Sequence, residues 1–206
     1  MTKTIPGPDG KPRCGWCAAT EDFFPYHDNE WGYPVDDDIR LFEKISLEGF
    51  QSGLSWRTIL TKRENFRKAF KQFDFNKVAH FTEKDVERLL QDAGIVRHRG
   101  KIEAVINNAQ RAREMVKEHG SLAAFIWQYE PDIKQLGAPQ SMTTSPESIA
   151  LSKILKKRGW KFVGPTTVFA FMQAMGLIND HVENCVTRKK VISARKKFRP
   201  PRVNHD

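Results

Sequence analysis

At 206 residues, 39% apolar and 29% charged, the chain has the size and composition of one globular domain, or two small interlocked lobes, with its own core. No stretch approaches the roughly 20 consecutive apolar residues of a membrane helix. The opening MTKTIPGPDGKPR lacks the apolar run of a secretory signal, so a cytoplasmic protein is expected.

The formal charge of +9 sits mainly at the ends. Residues 187–206 carry eight Lys or Arg against one acid and residues 1–13 carry three against one, which leaves 23 of each sign in residues 14–186. The body is therefore neutral. Residues 1–13, with Pro6, Gly7, Pro8, Gly10 and Pro12, are expected to form a flexible tail, and residues 187–206 a basic, disordered one. Such ends confer solubility or a sequence-independent attraction to phosphates.

Cys14-Gly15-Trp16-Cys17 has the spacing of a redox pair or of half a zinc knuckle. No βαβ unit follows, so Cys17 is expected to be a packed or partly exposed thiol. Cys14 and His27 early in the body, with His181 and Cys185 near its end, offer two thiolates and two imidazoles for a closed tetrahedral zinc site joining the chain ends. A set using Cys17 in place of His27, with three thiolates and one imidazole, is the alternative. His181 and Cys185, four apart, share a face if that segment is helical. His80, His98, His119 and His205 have no partner spacing and are read as solvent or core histidines.

Residues 16–56 hold nine of the 22 aromatic residues, among them Trp16, Phe23, Tyr26, Trp31 and Trp56, punctuated by glycines at 32, 49 and 53. Aromatic faces with a single acid suit a flat, positively charged ring. Glu48 is the acid placed for that role, although a core of aromatics with a solvated Glu48 would have the same sequence.

Helical periodicity dominates the remainder, and an all-α domain is expected. Thr82 with Asp85 signals a helix start, with Val86, Leu89, Leu90 and Ala93 as its apolar stripe and Gly94 as its stop. Ile102, Val105, Ile106 and Ala109 mark a second helix ending at Gly120, and Ser145-Pro146 opens a third that runs to Gly159. Pro165 opens a fourth, with Val168, Phe171, Met172 and Met175 as its buried stripe. Residues 158–167, RGWKFVGPTT, then form a tight connection whose Gly164 and free helix-start amides suit an anion, or merely join two helices. Basic clusters at 97–101 and 156–161 fall on predicted turns.

Together these segments resemble the type I 3-methyladenine DNA glycosylases. CGW at 14–16, YHDNEWG at 26–32, LFEKISLEGFQSGLSW at 41–56, DAGIVRHRGKI at 92–102, KRGWKFVGPTT at 157–167 and NDHVENC at 179–185 carry the resemblance, which spans residues 14–185. It implies a single all-α helix-hairpin-helix domain over residues 14–186, with structural zinc, one per chain, on Cys14, His27, His181 and Cys185. It implies that Glu48 is the catalytic residue, its carboxylate hydrogen-bonding the flipped base, that Trp56 stacks on that base, and that Tyr26 and Phe23 complete the pocket. Lys161, Gly164, Thr166 and Thr167 would grip the DNA backbone, and Leu54 would press into the gap left by the base.

Phe23 stands where the family commonly has tyrosine. Where related helix-hairpin-helix enzymes carry a catalytic aspartate this chain offers Asn179, with Asp180 expected to cap the helix bearing His181 and Cys185. The resemblance thus implies a monofunctional hydrolase without a lysine Schiff base. It would act as a monomer on double-stranded alkylated DNA in the bacterial cytoplasm and release free 3-methyladenine. The competing readings are a non-catalytic binder of alkylated or distorted DNA on the same fold, and a CGWC thiol oxidoreductase.

Overall fold

The computed structural model describes residues 4–203. Strands β1 (Thr4–Pro6) and β2 (Pro12–Cys14) form an antiparallel hairpin with Thr4 opposite Cys14. Ten α-helices follow among the described residues: α1 (Phe23–Asn29), α2 (Asp38–Gln51), α3 (Trp56–Ala69), α4 (Phe75–Val78), α5 (Glu83–Gln91), α6 (Arg99–His119), α7 (Leu122–Ile126), α8 (Pro146–Lys157), α9 (Pro165–Ala174) and α10 (Val186–Lys197). None is long and apolar enough to cross a membrane.

α2 is the axis of the molecule. Every residue from Leu41 to Phe50 is buried, including Glu43, Lys44, Ser46 and Glu48, because α3, α6, α7 and α9 pack around it. Its ends are tied by charge. The Asp38 carboxylate accepts the first amides of α7, from Leu122 (3.0 Å) and Ala123 (2.8 Å), in keeping with the positive pole of a helix start. At the other end the Lys101 ammonium donates to the carbonyls of Phe50 (2.9 Å) and Ser52 (2.5 Å), satisfying groups a helix C-terminus leaves free.

The sequence-local signals act where expected. Thr82 and Asp85 form the capping box of α5, although that helix ends at Gln91 and Gly94 lies in the turn beyond it. Gly120 follows α6 at φ +84°, and Ser145 and Ser148 cap α8 reciprocally. Gly176, after α9, has φ +80°, and a Cβ there would lie 2.4 Å from the Tyr33–Pro34 backbone.

The two ends differ from the sequence expectation. Residues 4–13 are hairpin rather than flexible tail: Gly7 and Gly10 make its turn, and the buried Arg13 guanidinium pairs with Asp28 (2.8 Å) and Asp9. Proline and glycine mark tight turns as readily as disorder, and the partner that distinguishes the two is 15 residues away. Residues 187–203 are likewise folded through α10, which buries Thr187 and Val191. Arg195 pairs with Glu130 (2.5 Å) and lies over the rings of Trp127 and Phe198. Residues 1–3 and 204–206 of the expected tails, with His205, lie outside the described residues.

Gly176→Ala should lower stability by at least about 2 kcal/mol, since a left-handed backbone and a backbone clash both oppose the methyl group. An unchanged urea midpoint would contradict this account of the α9 terminus.

Candidate active site and metal centre

The hairpin delivers Cys14 to the interior, α1 carries His27, and the segment between α9 and α10 supplies His181 and Cys185. Their donor atoms all lie within 4.8 Å of one another, and all four residues are buried. His181 and Cys185 are not on a helical face as expected; Cys185 precedes the first residue of α10, and the preceding segment is irregular. The measured separations are 3.7 Å from Cys14 Sγ to His181 Nδ1, 3.5 Å from Cys185 Sγ to His27 Nε2, 3.6 Å from Cys185 Sγ to His181 Nδ1, and 3.1 Å between the two imidazole nitrogens. A tetrahedral ion with metal–sulfur bonds of about 2.3 Å and metal–nitrogen bonds of about 2.0–2.1 Å would space its ligands about 3.3–3.8 Å apart. The residues fit.

The surroundings point the ligands inward. His27 Nδ1 lies 2.7 Å from the Asp28 carboxylate and His181 Nε2 2.9 Å from the Trp31 carbonyl, so each ring is held by its outer nitrogen and presents the other to the cluster. Arg13 and Thr187 hold Asp28 in turn. The Val182 amide donates to Cys14 Sγ (3.4 Å). Gly32, at φ +86°, leaves room for His181: a Cβ would lie 3.1 Å from its Nε2. Cys17 stands outside the four-residue cluster, and burial pushes its thiol up to about 12, the opposite of what a redox cysteine needs.

Trp16 joins this cluster to a second one. Its ring meets His27 at 5.2 Å and Trp31 at 5.1 Å on one side, and Tyr26 at 6.3 Å. Tyr26 in turn lies 5.3 Å from Trp56, the first residue of α3. Glu48, on α2, is only 6% exposed and is linked to this aromatic pair through Lys44. It is not the solitary anion expected: Lys44, one turn earlier, bonds Glu48 Oε1 at 2.7 Å and the Tyr26 hydroxyl at 2.8 Å. Its Nζ also sits 3.4 Å from the centre of a Trp56 ring.

Burial lowers the Lys44 ammonium from its usual range while the Glu48 charge opposes the fall. The Tyr26 hydroxyl is raised well above its ordinary value by burial, with the Glu48 charge adding to it. Trp56 Nε1 is buried without a hydrogen-bond partner. Phe23 packs edge-on against Trp16 at 5.7 Å, one turn before Tyr26.

Beside the Lys44–Glu48 pair, ion pairs tie the end of α1 to α2 and α3. Glu30 receives Arg63 at 2.7 and 2.9 Å and Arg40 at 3.2 Å, while Glu43 receives Arg67 at 2.7 Å. The connection between α8 and α9 abuts α2: a Cβ on Gly49 would lie 3.3 Å from Phe162 Cβ. Asn108 of α6 reads that turn from both sides, donating to the Lys161 carbonyl (2.9 Å) and accepting from the Lys161 amide (2.8 Å). Ser152 donates to the Val163 carbonyl (2.7 Å).

Gly164 precedes α9 with an ordinary φ of −62° and would meet nothing within 4 Å if given a side chain. The fold itself does not require glycine there. Lys161 and Thr166 are exposed beside it, Thr167 is half-buried, and Leu54 (42%) and Phe162 (40%) are exposed apolar residues on the neighbouring turns.

Other charges have structural partners. Within the 97–101 cluster Lys101 caps α2 and Arg99 pairs with Glu83 and Glu87. His98, read as unpartnered, accepts the Lys101 amide at 3.2 Å and caps α6. Arg158 pairs with Glu118 (2.5 Å). Asp180 does not cap a helix but accepts from the Gln140 amide (2.8 Å) and Gln173 Nε2 (2.6 Å).

Known proteins carry the same chain pattern. The family model described as methyladenine glycosylase matches residues 16–189. The chain is 52% identical over 177 residues to DNA-3-methyladenine glycosylase 1 of Escherichia coli K12, covering 84% of this chain and 95% of that protein. It is 46% identical to the DNA-3-methyladenine glycosylase of Haemophilus influenzae Rd, covering 84% and 96%. The solved 3-methyladenine DNA glycosylase I (TAG) of Staphylococcus aureus, described for its recognition of 3-methyladenine, superposes with a TM-score of 0.80 at 38% identity over 85% of this chain and 95% of its own. The family match over residues 16–189 and the 52% identity to the Escherichia coli protein show that the chain belongs to the methyladenine glycosylase family.

Proposed function

We propose that the space bounded by Tyr26, Glu48 and Trp56 receives a 3-methylated adenine extruded from alkylated duplex DNA and holds it while its N-glycosidic bond is hydrolysed. The chain is an N-glycosyl hydrolase that removes 3-methyladenine in base-excision repair, as its similarity to enzymes of that name implies. The single observation that carries the residue assignment is the buried Glu48 carboxylate on α2, joined through the Lys44 ammonium to the Tyr26 hydroxyl and the Trp56 ring.

Methylation at N3 gives the ring a positive charge and weakens the bond to C1′. As that bond breaks its electron pair passes to the ring nitrogen and the base becomes neutral; a water oxygen bonds to the C1′ cation and its proton is released to solvent, leaving a C1′ hydroxyl. Little proton donation to the base is needed. The task is instead to hold the extruded, charged ring in a site that favours bond breaking. Glu48 attracts that charge more strongly in a poorly solvated site than it could in water. Trp56 offers its ring face for stacking, and its unpartnered Nε1 is a further donor for the complex. Tyr26 backs the slot, and Phe23 supports it from behind through Trp16 rather than by a polar contact.

The backbone amides of Thr166 and Thr167, the open surface at Gly164 and the Lys161 ammonium form a phosphate grip that positions the protein without reading sequence. Leu54 and Phe162, exposed at the rim, are the apolar groups available to fill the gap left in the duplex. Cys14, His27, His181 and Cys185 would hold zinc. With four protein ligands it leaves no open position for catalysis, so what it supplies is cross-linking of β2, α1 and the start of α10.

Glu48→Gln should retain DNA binding while single-turnover release of 3-methyladenine slows about a hundredfold; wild-type release by this variant would remove the carboxylate from the mechanism. Binding of methylated DNA by the unaltered protein with no base released would favour the non-catalytic reading. Borohydride should trap no covalent complex with DNA, and a trapped adduct would indicate a Schiff base instead. Metal analysis should find one zinc per chain, and Cys185→Ala should lose it together with several kcal/mol of stability; a metal-free protein of full stability would exclude the staple.

A further inference from the structure

The contacts that a methylated purine would make in the slot are already made by a side chain of the protein. Lys44 Nζ lies 2.7 Å from Glu48 Oε1, 2.8 Å from the Tyr26 hydroxyl oxygen and 3.4 Å from the centre of a Trp56 ring. An ammonium has three N–H donors, and a carboxylate, a hydroxyl oxygen and an aromatic face account for all three. Lys44 and Glu48 are each only 6% exposed. Four residues apart on α2, they share a face, and the four-carbon stem of lysine lets its charge withdraw without moving the helix.

Resting on the slot reading above, we propose that Lys44 is a tethered competitor for the base: its ammonium occupies the slot in the free enzyme, yields to the cationic lesion, and returns to Glu48 once the base has become neutral. Before cleavage two cations compete for one buried carboxylate, and the lesion has stacking on Trp56 and the DNA contacts on its side. After cleavage the electron pair of the C1′–N9 bond has cancelled the charge on the ring. The base keeps its stacking but loses its attraction to Glu48, whereas the ammonium keeps its own, and in a poorly solvated site that difference favours lysine. Product is thereby expelled. An undamaged adenine is neutral throughout and gains too little from Glu48 to dislodge the ammonium, so Lys44 also acts as a specificity-determining residue.

Inhibition of single-turnover excision by free 3-methyladenine reads this role, using full-length enzyme and methylated duplex. Lys44→Met keeps the length and helix propensity of the side chain without its charge, and Lys44→Arg keeps a cation. The inhibition constant for 3-methyladenine should fall at least about tenfold in Lys44→Met and remain near the wild-type value in Lys44→Arg. An unchanged constant in Lys44→Met overturns the proposal. Should that variant fail to fold, the wild-type protein crystallised with 3-methyladenine decides: Lys44 Nζ drawn away from Glu48 is expected, and a base seated beside an intact Lys44–Glu48 pair refutes competition. Failure of the wild-type enzyme to release 3-methyladenine is a separate outcome that defeats the slot reading itself.

Discussion

A carboxylate on a helix enclosed on every side has to be neutralised, and Glu48 imposes that requirement on everything packed around the middle of α2. Lys44 answers it within the helix, while Tyr26 and Trp56 surround the pair with aromatic faces from α1 and α3. The same arrangement makes the site suited to a positive guest. A ring that brings its own charge substitutes for the ammonium, whereas a neutral one leaves the carboxylate with the partner it already has. Stability of the free protein and the proposed recognition of the lesion would then be two uses of one buried charge.

The slot depends on α1 being fixed, and α1 is fixed from its far side. His27 lies next to Tyr26 in sequence and faces the Cys14–His181–Cys185 cluster, while Trp16 lies against both residues. The outer nitrogens of both imidazoles are engaged by Asp28 and by the Trp31 carbonyl, and Arg13 and Thr187 brace Asp28 from the two ends of the chain. The hairpin and α10 are therefore part of the wall behind the base slot. Glu30 and Glu43, with their arginines, hold α1, α2 and α3 at the remaining side.

The close approach of the α8–α9 connection to α2 follows from one missing side chain. Gly49, next to Glu48, lets the Phe162 backbone lie against α2, and Asn108 fixes the Lys161 amide and carbonyl from α6. Lys101, on the same helix as Asn108, pins the loop that carries Leu54. The proposed backbone grip, the exposed apolar residues and the proposed base slot thus share a frame of buried helices, which in the proposed function would set the distance between an extruded nucleotide and the phosphates holding the protein.

Features whose cause lies within three or four residues are legible in the sequence: the Thr82–Asp85 box, the Ser145-Pro146 start, the glycine after α6 and the Pro165 start of α9. So is the chemistry of residue types, which suffices to nominate Glu48, Tyr26, Trp56 and the two Cys and two His as participants. Lys44 is a borderline case. Its four-residue spacing from Glu48 is visible, but such a pair is ordinarily solvated, and only enclosure of α2 by four other helices makes it a buried ion pair. The remaining roles depend on partners far along the chain. Lys101 and Arg99 look like a basic patch until Phe50, Ser52 and Glu83 are brought to them, and the ends look like tails until Arg13 meets Asp28 and Arg195 meets Glu130. Periodicity and capping are written by neighbours in sequence and set the helices; which charges are buried, paired or left for a ligand is set by contacts between those helices, which no local pattern encodes.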